Sequence, residues 1–190
     1  MKKAIFIDKD GTLIKDVPYN VDPGRILLES GATEAIRRWR ADGFHVIVVF
    51  NQSGIARGYF TVDDLEQAVS ALRDLLKQND ADIDDFYYCP HHPEGVVADY
   101  AIHCTCRKPN PDLLKKAAQE WNINISESWM IGDILNDVEA GMRAGCKTVL
   151  IDNGNETEWN ITHLRTPTIV VNDLKQAAEK ILEYQRRQYA

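Results

Sequence analysis

Short apolar runs alternate with amphipathic stretches along this chain, and the alternation predicts strands and helices taking turns. Lys3 to Ile7 is a brief apolar run, and Phe44-His45-Val46-Ile47-Val48-Val49-Phe50 is nearly continuous and β-branched, as a parallel strand covered on both faces would be. Phe86-Tyr87-Tyr88, Ser128 to Ile131, Thr148 to Ile151 and Thr168 to Val171 read as further strands. Between them, Ala32 to Asp42 has helical periodicity and is closed by Gly43. Thr61 caps a long helix over Val62 to Gln78, with Asp64 in its first turn. Asn110-Pro111 has the form of an N-cap followed by a first-position proline. Ile134 to Ala144 is a helix ending at Gly145, and Leu174 to Arg187 closes the set. Strands alternating with helices predict an α/β fold, a three-layer doubly wound parallel sheet built from right-handed crossovers.

No insertion after the first strand is long enough for a separate cap, so one domain over residues 1–190 is expected. The net charge of −7 argues against nucleic acid or an anionic membrane as partner. No apolar run approaches the roughly 20 residues of a membrane span, and no leader pattern precedes the first strand. The expectation is a cytoplasmic monomer acting on a small molecule.

The chemistry gathers at predicted strand ends. Asp8-Lys9-Asp10-Gly11-Thr12 puts two carboxylates at the tip of the first strand, where open α/β sheets bind ligands. Carboxylates this close repel unless a cation lies between them or one is protonated, so the pair suits Mg²⁺ and a phosphate. Asn51-Gln52-Ser53-Gly54 follows the second strand, Arg107-Lys108 precedes a helix, and Gly132-Asp133 with Asp137 follows another strand.

Three of the four cysteines fall within Cys89 to Cys106. Cys89-Pro90-His91-His92 and Cys104-Thr105-Cys106 form a tetrahedral Zn²⁺ set of three thiolates and one imidazole. Spacing alone leaves His91, His92 and His103 open as the fourth ligand. The ion would clamp a loop spanning about 89–111 and hold Arg107 and Lys108 in place. Cys146 reads as a small buried apolar residue.

Taken in order, these motifs resemble the haloacid dehalogenase superfamily of phosphohydrolases over about residues 3 to 152. The resemblance implies Asp8 as nucleophile, Asp10 as general acid and base, and Lys108 as stabiliser of phosphoryl charge. It implies Mg²⁺ on Asp8, the Asp10 carbonyl and Asp133, with Asp137 supporting Lys108, and it selects His91 as the zinc ligand. The zinc loop and the run Asn51-Gln52-Ser53-Gly54-Ile55-Ala56-Arg57-Gly58 are similar to those of the heptose-1,7-bisphosphate 7-phosphatases, and nearly as much to those of histidinol-phosphate phosphatases. Within the former, Arg107 and Arg57 would meet a second phosphate, and Asp16 to Tyr19 would wall the sugar site. Gln52 and Ser53 would also border the substrate.

One position departs from the superfamily. A threonine or serine there donates to the phosphoryl group, and this chain has Phe50. The task would pass to Asn51, Ser53 or backbone amides, restoring a hydroxyl would leave turnover unchanged or raise it, and a weakly active phosphate binder is the alternative to an enzyme.

Overall fold

The computed structural model describes residues 2–188. Six strands, β1 (Lys3–Ile7), β2 (Phe44–Asn51), β3 (Asp85–Cys89), β4 (Trp129–Gly132), β5 (Lys147–Ile151) and β6 (Ile169–Val171), form one sheet in the order β3-β2-β1-β4-β5-β6. Every neighbouring pair is parallel.

The apolar runs are continuous because both faces are covered. Along β1, Ile5 and Ile7 pack with Trp39 and Ile36 of helix α1 (Ala32–Ala41), with Leu65 and Leu72 of α2 (Val62–Gln78), and with Ile181 of α5 (Leu174–Gln188). Ala4 and Phe6 point the other way, onto Leu114 and Ala117 of α3 (Asp112–Trp121), with Ala140 of α4 (Leu135–Ala144) beside them. Two cores thus sandwich the sheet, giving the three layers expected. Among the described residues no helix is long and apolar enough to cross a membrane.

The connection from β1 leads to β2 on one side, whereas β4 lies on β1's other side. That reversal opens a crevice at the carboxyl ends of β1 and β4. Ile7 pairs with Ile131, and the Asp8 amide donates to the Ile131 carbonyl at 2.9 Å. Asp8 and Asp133 therefore emerge side by side.

Several boundaries differ from the sequence expectation. β2 runs one residue further, making Asn51 a strand residue paired with Cys89. α3 starts at Asp112 with Pro111 in the cap position, because Asn110 is used elsewhere: its amide donates to the Arg107 carbonyl and its side chain to the Cys104 carbonyl. Ile134 stands before α4 rather than in it. Short 3₁₀ turns at Pro23–Arg25 and Ile125–Glu127 were not anticipated.

Candidate active site

β1 delivers Asp8, and the turn behind it depends on Gly11. Gly11 has φ of +78°, and a side chain there would fall on the Asp133 carboxylate and the Asn155 amide. β4 delivers Asp133 just after Gly132, where a Cβ would fall on the Asp137 carboxylate. Thr12 Oγ1 donates to Asp133 Oδ1 at 3.0 Å, joining the two strand ends.

Lys108 completes the centre. Its Nζ lies 2.5 Å from Asp8 Oδ1, 2.5 Å from Asp137 Oδ1 and 2.9 Å from the Val49 carbonyl. Asn51 holds the lysine from behind. Its Oδ1 accepts from the Lys108 amide at 3.0 Å and its Nδ2 donates to the Lys108 carbonyl at 3.1 Å. The carboxamide expected to donate to phosphate is thus engaged with backbone through both its nitrogen and its oxygen.

Three buried carboxylates, Asp8, Asp133 and Asp137, present oxygens within 4.8 Å of one another. The Lys108 ammonium meets two of them, Asp8 and Asp137, and among the described residues leaves Asp133 without a cation, so the centre is short of positive charge. Burial works to discharge Lys108, but Asp137 and Asp8 outweigh it and hold the ammonium charged beyond the ordinary lysine range. Burial, then the charge of Asp8, pushes Asp133 up to about 6 against the hydrogen bonds from Asn155 and Thr12. A divalent cation with oxygen ligands answers that deficit, so the donor set fits Mg²⁺. Asp10 is half-buried, and its carboxyl is lifted by desolvation against the pull of Lys9, whose Nζ lies 2.7 Å from Asp10 Oδ1.

These groups line a cleft of about 330 Å³ that also takes in Asp16, Arg107 and Asn136. Among the described residues Arg107 Nη1 is buried there without a partner. The remaining sequence candidates stand off from the cleft. Tyr19 is exposed and sets its ring edge-on to Tyr59 at 4.7 Å. Gln52 is buried, with its amide donating to the Cys89 carbonyl at 2.8 Å. The Ser53 carbonyl accepts from the Arg57 amide, and Arg57 Nη2 lies 3.3 Å from His92 Nε2. Phe50 is 1% exposed and packs in the α1/α2 core. Alternation along β2 turns Phe50 away from the cleft.

Sequence reasoning assigned no role to the stretch after β5, yet it reaches this centre. Asn155 Nδ2 donates to Asp133 Oδ2 at 2.7 Å, and Asn153 Nδ2 donates to the Gly11 carbonyl at 2.8 Å. Glu156 Oε2 accepts from the Leu135 amide at 2.6 Å, capping α4 where Ile134 has no acceptor. The available signal was position: Asn153 follows a strand that ends at the same sheet edge.

The second cluster lies behind Lys108. Cys89 Sγ is 3.5 Å from Cys104 Sγ and 3.1 Å from Cys106 Sγ, and His91 Nδ1 is 3.3 Å from Cys106 Sγ and 3.7 Å from Cys89 Sγ. These are edges of a small tetrahedron, too long for disulfides, and all four cysteines are free. His92 is turned to Arg57 and His103 is exposed, so geometry selects His91. The four donors fit Zn²⁺ by number, type and spacing.

Residues 105–177 match the HAD-hydrolase-like family model. D-glycero-beta-D-manno-heptose-1,7-bisphosphate 7-phosphatase of Pasteurella multocida is 43% identical over 155 residues, covering 81% of this chain and 84% of its own. The enzyme of the same name from Escherichia coli K12 is 37% identical over 186 residues, covering 93% and 94%. The chain belongs to the HAD-like phosphatases. Among solved structures, the phosphatase is similar to a putative HAD-like phosphatase of Mesorhizobium loti, at TM-score 0.82 and 33% identity over 95% of this chain and 87% of that one. It is also similar to a D,D-heptose 1,7-bisphosphate phosphatase of B. bronchiseptica complexed with magnesium and phosphate, at TM-score 0.78 and 28% identity over 96% and 99% of the two chains.

Proposed function

We propose that this phosphatase removes the 7-phosphate of D-glycero-β-D-manno-heptose 1,7-bisphosphate, in the making of nucleotide-activated heptose. The observation that carries the bisphosphate reading is Arg107, whose buried Nη1 lacks a partner in the cleft that holds Asp8 and Lys108. A second phosphate of the substrate supplies that partner. The names of the similar enzymes support the β anomer.

In this reading Asp8 attacks phosphorus in line, and the bond from phosphorus to the C7 oxygen breaks. Asp10 gives its proton to that oxygen. Asp10 then takes a proton from the water that hydrolyses the aspartyl-phosphate, returning Asp8 and releasing phosphate. Lys108 neutralises charge on Asp8 and on the phosphoryl oxygens. Asp8, Asp133 and the Asp10 carbonyl would hold Mg²⁺, which would screen the anionic nucleophile from the anionic phosphate. Asp137 and Asn51 position Lys108, and Asp16 accepts from sugar hydroxyls. Cys89, His91, Cys104 and Cys106 would hold Zn²⁺, which would anchor the loop that carries Arg107. We take the enzyme to act as a monomer and place the reaction in the cytoplasm.

The test is phosphate release with Mg²⁺ from both anomers of the bisphosphate and from histidinol phosphate. Release of the 7-phosphate alone, with a large kcat/KM preference for the β anomer, is expected. A preference for histidinol phosphate would overturn the substrate, and phosphate binding without turnover would overturn the enzyme.

A further inference from the structure

Lys9 stands between the two aspartates, yet its side chain does not reach the cleft. It is 5% exposed and lines a void of about 10 Å³ among Ile14, Ile26, Leu65 and Leu72. A buried ammonium costs several kcal/mol unless it is paired. Among the described residues Lys9 forms one ion pair, to Asp10 Oδ1 at 2.7 Å, and its Nζ lies 5.0 Å from the centroid of the Phe50 ring. An aromatic face attracts a cation without accepting a directed hydrogen bond from it, so the ammonium rests on the ring and aims its proton at Asp10.

We propose that Lys9, seated on Phe50, is a positioning residue for Asp10, holding one carboxylate oxygen so that the other faces the leaving oxygen. Phe50 is then the seat of this lysine, and the loss of a hydroxyl at that position is accompanied by a gain in control over the proton donor. The inference rests on Asp10 being the general acid.

That dependence selects the experiment. A general acid matters for an alkyl leaving group and hardly for p-nitrophenolate, which departs as its anion. kcat/KM is measured for Lys9→Met, Lys9→Arg, Phe50→Leu and Asp10→Asn on β-glycerophosphate, on the heptose bisphosphate and on p-nitrophenyl phosphate. Lys9→Met is expected to lose about 10-fold on the alkyl esters, a part of the roughly 100- to 10,000-fold that general acids supply. Its loss on the aryl ester should stay below about 3-fold. Lys9→Arg should restore most of the alkyl activity. Phe50→Leu, which keeps the lysine, should show the same selectivity at about 3- to 10-fold, as expected for a lost cation–π contact. If Lys9→Met fails to fold, Phe50→Leu alone decides. Equal losses on alkyl and aryl esters, or no loss on either, overturn the positioning role. If Asp10→Asn itself shows no leaving-group selectivity, the acid assignment fails and the inference falls with it.

Discussion

Replacing Asp133 by asparagine should stabilise the metal-free protein while destroying its response to Mg²⁺. Asp133 is 5% exposed, and burial beside Asp8 raises its carboxyl from 3.8 to about 6. A carboxyl that binds its proton more tightly when folded loses stability as pH rises through the interval between the two values. Two pK units correspond to about 3 kcal/mol, fully expressed above pH ~7 and absent below pH ~4. Asparagine keeps the shape. With its oxygen toward Asn155 and its amide toward Thr12 Oγ1, it retains both partners. In EDTA at pH 8 the variant should melt roughly 6–12 °C above the wild type, and the gap should close toward pH 4. Added Mg²⁺ should then raise the wild-type Tm and leave the variant's unchanged. A variant no more stable than wild type at pH 8, or one stabilised equally by Mg²⁺, would refute the view that uncompensated negative charge defines this centre.

Three further perturbations test the surrounding parts. Phe50→Thr reverses the expectation drawn from sequence. The ring fills core space, so the change should cost about 3 kcal/mol in denaturant unfolding and should lower turnover, and a variant at least as active as wild type would contradict the buried placement. Cys104→Ala should remove bound zinc and about 3 kcal/mol of stability together, as loss of a comparable cross-link does, whereas zinc retained at one per chain would exclude Cys104 as a ligand. Asn51→Leu deletes two hydrogen bonds to the Lys108 backbone, so kcat should fall about 100-fold with KM nearly constant, and an unaltered kcat would show that Lys108 is positioned without it.

The sheet was legible because burial on both faces leaves an unmistakable residue pattern, as in Phe44 to Phe50. The positions of Asp8 and Asp133 were legible because strand-tip residues share one edge, whereas Lys108 precedes a helix and was legible only from the order of the motifs. What the pattern could not convey was side-chain direction. Phe50 and Asn51 are adjacent, but the pleat sends one into the core and the other to Lys108. Nor could it convey contacts made by irregular backbone. Asn153, Asn155 and Glu156 lie in a stretch without periodicity, and only the folded chain brings them to Gly11, Asp133 and Leu135. Asn110 looked like a helix cap by type, but its hydrogen bonds go to the cysteine loop.

The contacts that close the centre span 100 positions between Asp8 and Lys108, 121 between Thr12 and Asp133, and 142 between Gly11 and Asn153. During synthesis Asp8 therefore emerges 100 positions ahead of Lys108. A nascent or truncated polypeptide carries Asp8 and Asp10 without the lysine that charges the centre and without the amides that orient Asp133. The centre is therefore complete only once the chain has been made as far as Asn153 and Asn155. The same long-range wiring makes folding slow compared with a helical protein of equal size, since many residues must be ordered before the distant strands repay the cost.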